Sequence, residues 1–128
     1  MGIDFGTKRV GVALAPDGQQ PQRLATLAND DNVLTAIGEI IRSQGGTIAV
    51  VGLPRNLEGE DTAQTAAVRR FAAALQQAQP SLRMVLQDEA VTSELAGQRL
   101  RAEGARNPGS LVDQEAAVIV VEDYLRGQ

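Results

Sequence analysis

Gly2-Ile3-Asp4-Phe5-Gly6-Thr7-Lys8-Arg9-Val10-Gly11-Val12-Ala13-Leu14 is the stretch on which the fold turns. Ile3 and Phe5 alternate with Gly2, Asp4 and Gly6, and Val10, Val12 and Leu14 continue with a period of two, the spacing of half-buried strands. Gly6-Thr7-Lys8 lies between the two runs as a tight turn, with Gly6 free to take a positive φ, so the segment reads as an antiparallel hairpin. Inside its first strand stands an aspartate. Aspartate is depleted in strands, and a buried carboxylate left unpaired is costly, so Asp4 must face a cation, a hydrogen-bond network or a crevice. The alternative is an aspartate that caps the Gly6-Thr7-Lys8 turn.

After the Pro16-Asp17-Gly18 turn, Arg23 to Leu27 reads as a third strand. From Asp30 or Asp31, either able to cap a helix, Val33, Leu34, Ile37, Ile40 and Ile41 keep helical spacing until Gly45-Gly46. The continuous β-branched run Ile48-Ala49-Val50-Val51 predicts a central strand covered on both faces, ending at Gly52-Leu53-Pro54. A loop through Gly59 leads to Asp61, read as the cap of a second helix with Gln64 three residues on and Val68, Phe71, Ala72 and Leu75 as its buried stripe. Leu82 to Leu86 predicts a further strand. Val91 to Glu103 and Leu111 to Leu125 predict two more helices joined by a Gly104 to Ser110 linker. The order describes an α/β fold of three layers: a mixed sheet opening with an antiparallel three-strand meander, helices on both faces, and ligands expected beyond the carboxyl ends of the strands.

With 128 residues the chain fits a single domain, 1–128, and its 43% hydrophobic content suits an ordinary core. No apolar run approaches the ~20 residues of a membrane span, and Asp4 and Lys8-Arg9 fall where the core of a signal peptide would lie, so a cytoplasmic protein is expected. The first strand begins so close to Met1 that the natural start is left open. The sequence contains neither cysteine nor histidine, so any metal must sit on oxygen ligands, which narrows the choice to magnesium, manganese or calcium. Twelve basic against sixteen acidic residues leave a net charge of -4, the wrong sign for bulk attraction to a polyanion, so contact with nucleic acid must be local.

Two more carboxylates join Asp4 as candidates. Glu89 closes the run Gln87-Asp88-Glu89 and is expected to point out of the carboxyl end of the sheet, with its neighbour Asp88 facing elsewhere. Otherwise the pair simply begins the next helix. Asp113 opens the last helix, with Ala117, Val120 and Tyr124 following on the stripe that meets the sheet; a capping role is its alternative. Three inward anions repel one another unless divalent cations neutralise them. Two ions about 3.5–4 Å apart would activate a water and stabilise the leaving oxygen of a phosphodiester without help from histidine or cysteine. Lys8, Arg9, Arg55 and Asn56 occupy the two loops expected to border the site and are assigned to phosphate contacts. With aromatics at 2%, stacking of unpaired bases is poorly served, so recognition should rest on backbone and shape.

The opening run through Ala13, the run Val51-Gly52-Leu53-Pro54-Arg55-Asn56 with Gly59, the Asp88-Glu89 pair and Val112-Asp113 with Ala116-Ala117 together resemble the YqgF/RuvX family over nearly the whole chain. The resemblance implies an RNase H-like fold related to the Holliday junction resolvase RuvC. It also implies a nuclease processing the 5′ end of pre-16S ribosomal RNA, with resolvase activity proposed for some members, and Asp4, Glu89 and Asp113 as the acidic triad for Mg²⁺ or Mn²⁺. The chain departs from the family pattern in two places. Ala90, Val91, Thr92 and Ser93 follow the acidic pair where arginine is usual, and Asn107-Pro108-Gly109-Ser110-Leu111-Val112 precedes the final aspartate where lysine is common. Both departures remove positive charge. Ala116 stands where RuvC-type sites carry a second helical carboxylate.

Three other functions compete. One is a resolvase-like DNA endonuclease acting on branched DNA as a homodimer, whereas a monomer would favour structured precursor rRNA. The second is a nucleic-acid-binding or regulatory module whose catalysis has decayed, motivated by Ala90 and the acidic total. The third is a fragment of an actin-like ATPase or sugar kinase, whose phosphate turn has the same Gly-x-Asp-x-Gly-Thr pattern.

Overall fold

A computed structural model describes residues 1–17, 19–89, 92–104 and 109–127 and orders them as β1 (Gly2–Phe5), β2 (Arg9–Leu14), β3 (Gln22–Ala28), α1 (Val33–Gln44), β4 (Ile48–Pro54), α2 (Ala63–Ala78), β5 (Arg83–Glu89), α3 (Thr92–Ala102) and α4 (Gly109–Arg126). The strands form one sheet in the order β3-β2-β1-β4-β5. β1, β2 and β3 make the expected antiparallel meander, and β4 and β5 continue the sheet in parallel from β1. Among the described residues no helix is long and apolar enough to cross a membrane.

The alternation of β1 and β2 divides the sheet into two unlike faces. Ile3 and Val10 join Ala49, Val51 and Leu53 of β4 under α1 and α2, where Val33, Ile37, Val68, Phe71 and Leu75 complete the main core. Phe5 and Phe71 stack there with ring centroids 4.3 Å apart. Asp4 and Gly11, paired in register, take the opposite face, which belongs to α4. This face is floored with glycine because the helix lies almost on the backbone. A Cβ at Gly2 would stand 2.5 Å from the carbonyl oxygen of Ala117, one at Gly11 1.8 Å from that of Asp113, and one at Gly52 2.8 Å from Val120 Cγ2. On its other side α4 is covered by α3, whose Ala96 packs with Ala116 and Ile119, and every residue from Glu115 to Val121 is buried. That continuous burial hides the helical period which a one-sided helix would display.

Several local expectations change. The N-cap of α1 is Asn32, without a side-chain cap bond, because Asp30 Oδ1 instead accepts from Asn32 N at 2.9 Å. The helix stops, as expected, where Gly45 turns left-handed at φ 72°. α2 is capped by Thr62, whose side chain forms a reciprocal capping box with Thr65, while Asp61 pairs with Arg55 at 2.7 Å. Gly6 is not among the described glycines with positive φ; it is needed because a Cβ there would meet the Arg9 carbonyl oxygen at 2.6 Å. β5 runs through Glu89, three residues past the expected strand end, so Glu89 belongs to the strand and does not start a helix. α4 starts at Gly109, which places Asp113 inside the helix and removes its capping role. Gly18, Val91 and residues 105 to 108 of the expected linker lie outside the described residues.

One buried ionic network went unforeseen. Glu115, 4% exposed, receives Arg23 Nη1 of β3 at 3.3 Å and Arg99 Nη2 of α3 at 3.1 Å, while Arg99 also grips Glu122 through two bonds of 2.6 and 3.2 Å. Burial pushes the Glu115 carboxyl above its ordinary range, against the pull of the two arginines. The network ties β3, α3 and α4 together. Removing the acid takes one carboxylate from two arginines that keep Glu103 and Glu122 as partners, so Glu115→Ala is expected to lower stability by about 1–2 kcal/mol in urea titrations. A loss under about 0.5 kcal/mol would show that those two partners suffice.

Candidate active site

The β1–β2 turn sets the first side of the site. Gly6 N donates to the Arg9 carbonyl at 2.9 Å, and Asn29 pins the same turn twice, its backbone N–H on Lys8 O at 2.9 Å and its Nδ2 on Gly6 O at 2.7 Å. From this fixed hairpin Asp4 projects toward α4. Its carboxyl is pushed up from 3.8 to about 6, first by burial and then by the negative charge of Asp113. The two aspartates of β1 and α4 are therefore close enough to repel.

Glu89 shares their face. Pro54 pairs with Glu89 and Gly52 with Gln87, and continuing the β1–β4 register by one residue sets Asp4 beside Gly52. The missing side chain at Gly52 leaves the space between Asp4 and Glu89 open: Glu89 Cγ lies 3.6 Å from where a Cβ would stand. Asp88 points the other way, as alternation demands, and lies 3.5 Å from Arg55 Nη2. The structure thus brings Asp4 and Asp113 together and turns Glu89 toward them. Among the described residues, however, no three acidic side chains are gathered closely enough to hold one ion.

The four residues assigned to phosphate divide into two kinds. Lys8 and Arg9 are exposed on the hairpin, and Arg9 Nε bonds Asp113 Oδ2 at 2.7 Å. Arg55 and Asn56 instead brace their own loop. Arg55 is engaged by Asp61 and Asp88, and Asn56 Oδ1 accepts from the backbone N–H of Glu58 at 3.0 Å and of Glu60 at 2.8 Å. Two supporting residues were missed by sequence reasoning. Gln64 Nε2 donates to Phe5 O at 2.9 Å, holding the end of β1, and the fully buried Thr65 donates its hydroxyl to Pro54 O at the end of β4. Neither has a sequence signal beyond the capping pattern. The glycines did have one, since glycine inside a strand marks a close approach of other atoms. Ala90 lies outside the described residues.

A family model described as "RuvX: Holliday junction resolvase" matches residues 1–127. The chain belongs to the RuvX family. Its relatives include proteins of Moorella thermoacetica, 40% identical with 98% of this chain and 92% of the relative covered, and of Maridesulfovibrio salexigens, 36% identical with 98% and 96% covered. A third, from Nocardia farcinica, is 34% identical with 98% and 76% covered. All three carry the name "Putative pre-16S rRNA nuclease". The structure of Thermus thermophilus RuvC superposes with a TM-score of 0.55 at 11% identity, over 98% of this chain and 94% of RuvC. At that identity the likeness establishes the fold, and the five-stranded 3-2-1-4-5 sheet is the RuvC-like form of the RNase H fold. The resemblance read from the motifs, the fold class and membership of a nuclease family all hold for this RuvX chain.

The donor set suits a hard divalent cation in type. Carboxylate oxygens line one face of the sheet, and the Asp4 carboxyl, pushed up first by burial and then by the charge of Asp113, is one that a cation would bring back down. The third carboxylate has the right face but does not close the cage.

Proposed function

We propose that this RuvX protein is a metal-dependent nuclease that hydrolyses phosphodiester bonds in structured precursor 16S ribosomal RNA. The observation that carries the proposal is Asp4: a carboxylate on a central strand, shielded from water and held against the charge of Asp113. Such an arrangement is destabilising in itself, and strained electrostatics of this kind cluster at functional sites. Asp4, Asp113 and Glu89 would hold Mg²⁺ or Mn²⁺, two ions in the full site. Bound there, the metal supplies a water of lowered pKa and charge stabilisation at the leaving oxygen. The protein's own residues orient and select. The Asn29-pinned hairpin presents Lys8 and Arg9 to the substrate backbone, and Arg55 and Asn56 hold the second loop in place beside the carboxyl ends of β4 and β5.

The acidic surroundings favour a substrate gripped locally through phosphates and shape, as a folded RNA helix allows. The family description and the RuvC-like fold favour branched DNA as the second reading. Purified wild-type protein should be assayed on the 5′ leader of precursor 16S rRNA and on a four-way DNA junction, in Mn²⁺ and in EDTA. Cleavage of the RNA in Mn²⁺ alone is expected. Junction cleavage without RNA cleavage would move the assignment to a resolvase, and failure to cut either in Mn²⁺ would favour a binding module.

A further inference from the structure

We infer that Arg9 competes with the divalent ion for Asp113, so that the arrival of a substrate phosphate, by drawing Arg9 away, tightens metal binding. The inference rests on the nuclease reading and adds a regulatory role for one of its phosphate contacts. Its basis is an asymmetry in the Arg9–Asp113 pair. The bond is short, 2.7 Å from Nε to Oδ2, yet the Arg9 side chain is 57% exposed and the Asp113 side chain only 13%. The arginine can leave and the aspartate cannot.

Asp113 is fixed by its backbone, whose carbonyl oxygen rests against Gly11. The backbone of Arg9 is fixed as well, because the turn before it is held by Gly6 and by both bonds from Asn29. Any exchange of partners therefore falls to the Arg9 side chain alone. Two positive groups cannot share one carboxylate oxygen without repelling each other. A guanidinium, moreover, binds phosphate as readily as carboxylate through its planar fork. A nucleic-acid backbone entering beside Lys8 offers Arg9 that alternative and frees Asp113 to complete the acidic site. Metal and substrate then reinforce each other by the same factor in either order of binding.

The test follows Mn²⁺ affinity by EPR of the free ion, at low ionic strength and without nucleic acid, for wild type, Arg9→Gln, Arg9→Lys and Asp113→Asn. Removing the competing charge should tighten Mn²⁺ binding of Arg9→Gln by about three- to tenfold, with Arg9→Lys between it and wild type. In parallel, a ¹H–¹⁵N spectrum of the arginine Nε–H groups should show the Arg9 signal leave its hydrogen-bonded position as Mg²⁺ is added, and Asp113→Asn should abolish that response. Equal or weaker Mn²⁺ binding by Arg9→Gln, or an Arg9 signal unmoved at saturating Mg²⁺, would overturn the inference while leaving a metal-binding nuclease intact. Absence of Mn²⁺ binding by both wild type and Arg9→Gln would bring down both readings together.

Discussion

Asp4→Asn is expected to abolish hydrolysis and, at pH 8, to make the protein more stable by about 3 kcal/mol. The size follows from the carboxyl group, whose pKa is raised from 3.8 to about 6, since every tenfold gain in proton affinity on folding corresponds to about 1.4 kcal/mol. The direction follows from which state binds the proton more tightly. The folded protein does, so the stabilising effect of protonated Asp4 is complete below pH 3.8 and is lost as the pH rises through about 6. Asparagine never ionises and escapes that loss. The gap between mutant and wild type should therefore be near zero at pH 4, open between pH 4 and 6, and stay constant above. Urea titrations at a series of pH values read this directly. A gap already as wide at pH 4 as at pH 8 would mean that Asn gains by packing and that Asp4 carries no strained charge. Added Mg²⁺ should narrow the gap at pH 8 by stabilising the wild type alone.

The second large effect concerns structure. Gly11→Ala should cost at least about 4 kcal/mol, a large part of the roughly 5–15 kcal/mol that holds an ordinary domain together. The new methyl group would lie 1.8 Å from the Asp113 carbonyl oxygen, 2.2 Å from its carbon and 2.8 Å from Gln114 N, all backbone atoms of α4 without freedom to swing aside. The helix must lift or the strand must bend. Gly38→Ala provides the contrast, because its neighbours are the movable ends of Gln79, at 3.0 Å, and Arg42, at 3.7 Å. There alanine should be neutral or stabilising by up to about 1 kcal/mol, since it favours the helix. Thermal melts followed by circular dichroism separate the two. Equal stability of the two variants would remove the argument that α4 needs a glycine floor.

The elements most legible in the sequence were those whose neighbours lie close along the chain. The hairpin, the apolar spacing of α1 and the buried stripe of α2 each depend on local alternation or helical period, and each stands where the pattern placed it. The caps shifted because Asp61 had a competing partner in Arg55, a choice that propensity cannot weigh. Glu115 and Arg23 are 92 residues apart, and nothing near either residue announces the other. For the candidate site, Asp4 stood out because its residue type is wrong for its strand. Alternation correctly separated Glu89 from Asp88, although β5 extends further than its apolar core suggested. The pairing of Asp113 with Arg9 could not be read in advance, because it depends on how deeply α4 sinks onto the sheet. The glycines that permit this depth were visible, but only as gaps in a strand pattern.

Because the main chain of α4 rests on the main chain of β2, the distance between the two aspartates is gauged by backbone contact and not by rotamers. The site has no slack. A side-chain spacer could absorb small errors by repacking, whereas here a fraction of an ångström of helix drift passes undiminished to Asp113. Warming should therefore switch the chemistry off several degrees before the fold is lost.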